Sequence, residues 1–202
     1  MTAEEGHRGE GDDDARTDDA PAWHPSGRRR LVEWGVLLLV ALLVAFVGRA
    51  YVAQSFYIPS GSMEPTLQVG DRIVVDKLSY HLHGVHRGDI VVFRRPPAEN
   101  CDPGGPQVPD LVKRVIGLPG ERISGSDGRV DINGRPLAEP WLPKSDSTSP
   151  FSAITIPKGD YFMMGDNRGD SCDSRYWGPL PRSYIVGRVV LRIWPLSHLG
   201  VF

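Results

Sequence analysis

DLVKRVIGLPG, residues 110–120, is the stretch on which the reading of the whole chain turns. Leu111, Val112, Val115 and Ile116 favour extended backbone, and Pro119-Gly120 ends the run, so a strand is expected over Leu111–Ile116. Two cations interrupt it. Side chains alternate across a strand, which places Lys113 with Leu111 and Val115 and places Arg114 with Val112 and Ile116. One of the two cations therefore lies on a largely apolar face, unless this is an edge strand with both heads in solvent. An ammonium in apolar surroundings is disfavoured relative to the neutral amine, which makes Lys113 the candidate base of this chain. Lys77, Lys144 and Lys158 sit at strand ends or in loops.

Further strands are expected at Arg72–Val75, Ile90–Phe93, Arg129–Ile132, Tyr161–Met164 and Ile185–Ile193, short apolar runs separated by Gly, Pro, Asn and Asp. Asn133-Gly134 follows Val130-Asp131-Ile132 as a hairpin turn, because both residues tolerate positive φ. No segment past residue 55 sustains a 3.6-residue period. The fold class is mainly β, with packed antiparallel sheets over residues 53–202. Residues 95–110 and 143–150 read as loops, the former with no role that its composition suggests.

The chain has 202 residues and a formal charge of −2. Eight acids against Arg8 and Arg16 give residues 1–20 a charge of −6, leaving +4 for the rest. With few apolar residues to bury, residues 1–27 are expected to be a disordered acidic tail. The near-balanced total argues against a nucleic-acid partner. Arg28-Arg29-Arg30 precedes LVEWGVLLLVALLVAFV, residues 31–47, in which Glu33 is the one charge. Continued to Val52, the run is long enough to cross a bilayer at about 1.5 Å per residue. Arg49 would reach for the far interface, and Trp34 and Tyr51 suit the interfacial belts. Residues 28–52 are thus expected to form a single membrane helix. The arginines place the N-terminus in the cytoplasm and the β domain outside it. Gly48-Arg49-Ala50 has the small-x-small form of a signal-peptide cleavage site, but the apolar run exceeds the usual h-region of about 7–15 residues.

Cys101 and Cys172 are the two cysteines, 71 residues apart. Outside the cytoplasm they can close a disulfide, the alternative being two free thiols. His81, His83 and His86 form a polar cluster without carboxylate or thiol partners, so neither a metal nor another cofactor is expected.

SFYIPSGSMEPTL, residues 55–67, sets two serines between two prolines. A serine hydroxyl needs a base to become a nucleophile. A Ser-His-Asp arrangement finds little support: there is no G-x-S-x-G elbow, and Gly169-Asp170-Ser171 is followed by Cys172-Asp173. Lysine is the remaining base.

Five stretches carry a family resemblance, in order: PSGSMEPTL at 59–67, GDRIVVDKLSY at 70–80, RGDIVVF at 87–93, VKRVIGLPGE at 112–121 and GDNRGDSCDSRYWGPLP at 165–181. They resemble the boxes of bacterial type I signal peptidases, membrane-anchored Ser/Lys endoproteases, from the membrane segment to about Leu196. The resemblance implies Ser62 as nucleophile, Lys113 as general base, and Ser60 with the Ser62 N–H as the oxyanion hole. It implies Ser171 as the residue orienting the amine. Asp173 and Arg175 follow as a buried supporting pair, with Asp166 and Arg168 in the same box. Pro59 and Pro65 limit the backbone around Ser62, and Gly61 lets hydroxyl and N–H converge. Phe56, Tyr57, Ile58, Met63, Leu67 and Val112 are expected to wall a pocket for the small −1 and −3 side chains of an A-x-A site. The implied partners are exported preproteins and the lipid bilayer.

The chain departs from that family where N-R-D-N-S reads Asn167-Arg168-Gly169-Asp170-Ser171, which loosens the loop placing Ser171, and at Cys172. Self-cleaving repressors share the Ser/Lys chemistry but need a DNA-binding domain in place of a membrane span. A non-catalytic preprotein-binding module of the same fold is the other rival, for which loss of Ser62 or Lys113 would be the expected mark.

Overall fold

The computed structural model describes residues 27–101 and 108–202, so the acidic tail and the centre of the 95–110 loop lie outside the described residues. The chain divides into residues 1–42 and residues 43–202. The helix α1, Gly27–Val52, runs for 26 residues. Leu31, Val32, Leu37, Leu39, Leu42 and Val44 along it are all exposed. Among the described residues, no helix is long and apolar enough to cross a membrane.

The second unit is built from strands. β1 (Ala53–Tyr57) and β2 (Arg72–Asp76) flank the serine segment, a short helix α2 (Ser79–Leu82) follows, and β3 (Ile90–Arg94) and β4 (Asp110–Gly117) enter the centre. β5 (Arg122–Ser126), β6 (Arg129–Ile132), β7 (Arg135–Pro136) and β8 (Phe151–Thr155) come next, then β9 (Asp160–Met164), a one-turn helix α3 (Ser174–Trp177), β10 (Leu180–Pro181), β11 (Ile185–Trp194) and β12 (Gly200–Val201). One sheet has the order β1-β2-β11-β3-β4-β9-β10, with β12 added beside β11; the second has the order β7-β6-β5-β8, and every pairing is antiparallel.

β3 shows why the large sheet is buried on both sides. Ile90 and Val92 join a core with Ile58, Met63, Leu67 and Ile73. Val91 and Phe93 point the other way, to Val115, Met163 and Leu180. The small sheet covers a third core, in which Ile123 and Val130 meet Ile116, Phe162 and Met164. At Gly117, where β4 passes beneath the small sheet, a Cβ would collide with Ile156 and press on Phe162, so only glycine permits this approach.

The expected hairpin at Asn133-Gly134 joins β6 to β7, with φ of 52° and 75°. Asp127-Gly128, with φ of 49° and 77°, makes the same kind of turn between β5 and β6, a signal missing from the strands expected above. β4 is flanked by β3 and β9, so the edge-strand alternative for DLVKRVIG fails. Both cations are buried: Lys113 is 4% exposed and Arg114 7%.

Candidate active site

The serine segment leaves β1 at Tyr57 and returns into β2 at Arg72. Ile58 N–H donates to Asp71 O and Gly70 N–H donates to Ile58 O, closing the base of the excursion. Its tip is a 3-10 turn over Gly61–Met63 that drives Met63 into the core and leaves Ser62 at the rim. Gly61 does not use the left-handed region; a Cβ there would press against the Glu64 carboxyl at 3.2 Å.

β4 brings the lysine. Its register, Val91 opposite Lys113 and Val92 opposite Val112, carries the amine to the serine tip. Lys113 Nζ donates to Ser62 Oγ at 2.6 Å, and Ser60 Oγ lies 3.5 Å from Ser62 Oγ. Burial pushes the Lys113 pKa from its usual 10.5 down to about 8. The Asp173, Glu99 and Asp166 carboxylates pull it back up, and the Arg175 guanidinium pushes it down. Desolvation wins because the amine lies deep in the cleft while the carboxylates nearest it are each already paired with an arginine.

Three such pairs fix the surrounding loop. Arg175 grips Asp173 through two bonds of 2.8 Å, and Asp173 Oδ2 also accepts the Gly165 N–H at 3.0 Å. Asp166 pairs with Arg114 at 2.8 and 2.6 Å, and the Arg114 guanidinium stacks 4.8 Å from the Trp141 ring. Arg168 does not meet Asp166. It reaches the small sheet's connection, donating to both Glu139 oxygens and, at 2.7 Å, to Thr148 Oγ1. The third pair, Arg95 with Glu99, closes the other wall of the cleft.

Two expectations fail here. Ser171 does not orient the amine: its Oγ is buried without a hydrogen-bond partner, lodged against Gly165, where a Cβ would collide with it. Leu67, fully buried, belongs to the core behind the serine turn and does not line the pocket. Phe56, Ile58, Met63 and Val112 do line it, with Val92 and Leu111 added, around a volume of about 50 Å³ beside Ser62 and Lys113. On the other side of the pair lies a wider cavity of about 360 Å³ whose lining includes Arg95, Glu99, Asp170 and Cys172.

Cys101 and Cys172 are joined as a disulfide, with Cα atoms 6.1 Å apart. Glu99 Oε1 lies 3.3 Å from Cys172 Sγ, but sulfurs spent on each other do not serve as metal ligands. The three histidines of the polar cluster are exposed, and among the described residues the one acid within 4 Å of their ring nitrogens is Asp89, 3.9 Å from His86.

Arg114, Glu139, Thr148 and Asn167 are site residues that sequence reasoning missed. The alternation in β4 holds the signal for Arg114, since a central strand buries both faces. Glu139 and Thr148 lie in a polar connection with no such mark.

The cleft thus sets a serine hydroxyl, a buried amine with a lowered pKa and a small apolar pocket side by side. The family model described as "Signal peptidase, peptidase S26" matches residues 31–194. The chain is 41% identical over 180 residues to a signal peptidase I of Leptolyngbya laminosa, covering 89% of this chain and 87% of that one. It is 36% identical over 241 aligned positions to signal peptidase I of Mycobacterium tuberculosis, covering 95% and 81%. A crystal structure of a signal peptidase I from Enterococcus faecalis shares 32% identity at a TM-score of 0.42, covering 52% of this chain and 97% of that one. The chain belongs to the signal peptidase, peptidase S26, family and is a serine endopeptidase.

Proposed function

We propose that this enzyme removes N-terminal signal peptides from exported preproteins, cutting after small-x-small sites with Ser62 as nucleophile and Lys113 as general base. The observation that carries it is the 2.6 Å contact between Lys113 Nζ and Ser62 Oγ in a buried cleft. The neutral amine takes the hydroxyl proton as Oγ attacks the scissile carbonyl carbon. The oxyanion is received by the Ser62 N–H and the Ser60 hydroxyl. The ammonium then protonates the leaving amine as the C–N bond breaks, leaving an acyl group on Ser62. Water, deprotonated by the same amine, attacks the ester and frees Ser62. Asp173 with Arg175, and Asp166 and Arg168 with their own partners, hold the loop beside the pair.

Small-residue specificity follows from the pocket. The pocket beside Ser62 is small, about 50 Å³, which favours short side chains over bulky ones. Phe56, Ile58, Met63 and Val112 form its apolar wall. The reading of a membrane anchor rests on the sequence, the apolar run at residues 31–47 with Glu33 as its one charge, supported by the exposed leucines and valines of α1. The arginines that precede that run favour a cytoplasmic N-terminus and an extracytoplasmic catalytic unit.

The test is incubation of the full chain with a preprotein ending its signal in Ala-x-Ala, with the cut mapped by mass spectrometry. One cut after the second alanine is expected, abolished in Ser62→Ala and in Lys113→Ala, with the double variant no worse than either. Substantial cleavage by Lys113→Ala, or a cut that ignores side-chain size, would overturn the reading.

A further inference from the structure

The oxyanion hole has a support beyond the two serines that form it. A peptide unit is planar and trans, so its C=O and N–H point in opposite directions. The N–H of Ser62 therefore aims wherever the Gly61 carbonyl aims away from. Gly61 O accepts two hydrogen bonds, from Glu64 N–H at 3.0 Å within the 3-10 turn and from Asn167 Nδ2 at 3.2 Å across the cleft. The Asn167 backbone N–H donates in turn to Ser62 O at 3.1 Å. One residue thus holds the peptide units on both sides of the Ser62 Cα.

Asn167 is itself held on both flanks. Asp166 is fully buried and gripped by Arg114 of β4. Arg168 is buried and gripped by Glu139 and Thr148 from the small sheet's connection, while its carbonyl accepts from Arg175 Nη1 at 2.8 Å. A loop fixed at adjacent residues by two bidentate ion pairs leaves Asn167 little freedom to shift. Gly165, against whose Cα the Ser62 carbonyl packs too closely for any side chain, completes the contact between loop and nucleophile turn.

We propose that Asn167 is a positioning residue that aims the Ser62 N–H at the developing oxyanion, braced by Glu139 through Arg168. The inference rests on the function proposed above. A purely structural role, in which Asn167 only ties two loops together, would lower stability without changing turnover by folded molecules.

Asn167→Asp keeps the shape and replaces the amide donor with an acceptor; Asn167→Leu keeps the volume and removes both. In the full chain at a temperature where both are folded, kcat is expected to fall about 10- to 100-fold, since losing an oxyanion donor outright costs about 100- to 1,000-fold. KM is expected to stay within about twofold, because the ground-state carbonyl makes little use of that donor. Affinity for an Ala-x-alaninal peptide aldehyde, whose hemiacetal oxygen occupies the oxyanion position, should fall in proportion to kcat/KM. Glu139→Gln, which keeps one hydrogen bond and loses the charge, should give a smaller loss of the same kind. A readout independent of turnover is the Ser62 amide resonance in 15N-labelled protein, expected to move in Asn167→Asp. A wild-type enzyme that cleaves and variants with unchanged kcat and unmoved Ser62 amide would overturn the positioning role and leave the proposed function standing. A wild type that cleaves no preprotein while the Ser62 amide still moves would overturn the function instead.

Discussion

An amine whose pKa lies at about 8 titrates where the enzyme can be assayed, and Lys113 makes rate and stability respond to pH in linked ways. In the mechanism proposed above only the neutral amine accepts the Ser62 proton, and with a pKa of about 8 roughly a tenth of it is neutral at pH 7. Cleavage should therefore rise about tenfold per pH unit up to about pH 8 and then level off. A profile that climbs until about 10.4, the free-lysine value, would show an amine in contact with solvent. Stability runs the same way. The folded state holds its proton less tightly than the unfolded chain between about 8 and 10.5, so this group's contribution improves as pH rises through that window. Lys113→Met should consequently unfold at higher urea than wild type below pH 8, with the difference shrinking at higher pH. This residue is also where the sequence was most legible. A lysine within an apolar run has few places to go, and Ser62 stands in a segment stiffened by Pro59 and Pro65. Ser171 was not legible, because its hydroxyl is buried against Gly165 without a hydrogen-bond partner, a contact between residues six positions apart that alternation does not reach.

At the scale of single elements, β4 does two jobs from adjacent residues. Lys113 faces the nucleophile, and Arg114 on the opposite side anchors Asp166 and stacks on Trp141. Breaking the second job is expected to cost about 3–5 kcal/mol in Arg114→Met, because a fully buried Asp166 carboxylate would be left without its counter-charge. Arg114→Met combined with Asp166→Leu should recover most of that stability in urea titration yet remain a poor enzyme, having lost one brace of the Asn167 loop. Recovery of full activity in the double variant would show that the ion pair matters for folding alone. The alternation in DLVKRVIG shows that the two cations face opposite ways. It does not show that both are buried, since Asp166 lies 52 residues on and only the strand order makes β4 central. The expected strands over residues 72–75, 90–93, 129–132, 161–164 and 185–193 coincide with observed ones within a few positions. β1 (AQSFY), β5 (RISGS) and β8 (FSAIT) went unread because they are half-exposed and carry Ser, Gly or Gln where an apolar run was sought. In β5 and β8 the polar positions keep the small sheet's outer face in water, so its strands draw stability from the shared core beneath Ile123 and Val130.

For the molecule as a whole, strand order brings Ser62, Lys113 and the 165–175 segment together from three distant parts of the sequence. The single disulfide is the covalent counterpart of that convergence. Closing a separation of 71 residues contributes about 4 kcal/mol in the chain-entropy model. Cys101→Ser should lower Tm by about 10 °C in a thermal scan of the full chain, at about 2–4 °C per kcal/mol for a protein of this size. A shift under about 2 °C would mean that the unfolded chain gains little freedom from the loss.

The same bond divides Ser62 from Lys113 topologically. Cys101 and Cys172 make a closed ring that contains β4, the whole small sheet and β9, hence Lys113, Asn167 and Glu139, while Ser62 hangs on the open strand outside it. A ring can be cut once without coming apart. Residues 143–147 are exposed on that ring, and a trypsin nick after Lys144 would leave two fragments that migrate as one species until reductant is added. Lys113 would then sit on one fragment with Ser62, while Thr148 and Asn167 sit on the other. Under oxidising conditions the enzyme can therefore survive a wound in its second sheet as a covalently intact molecule.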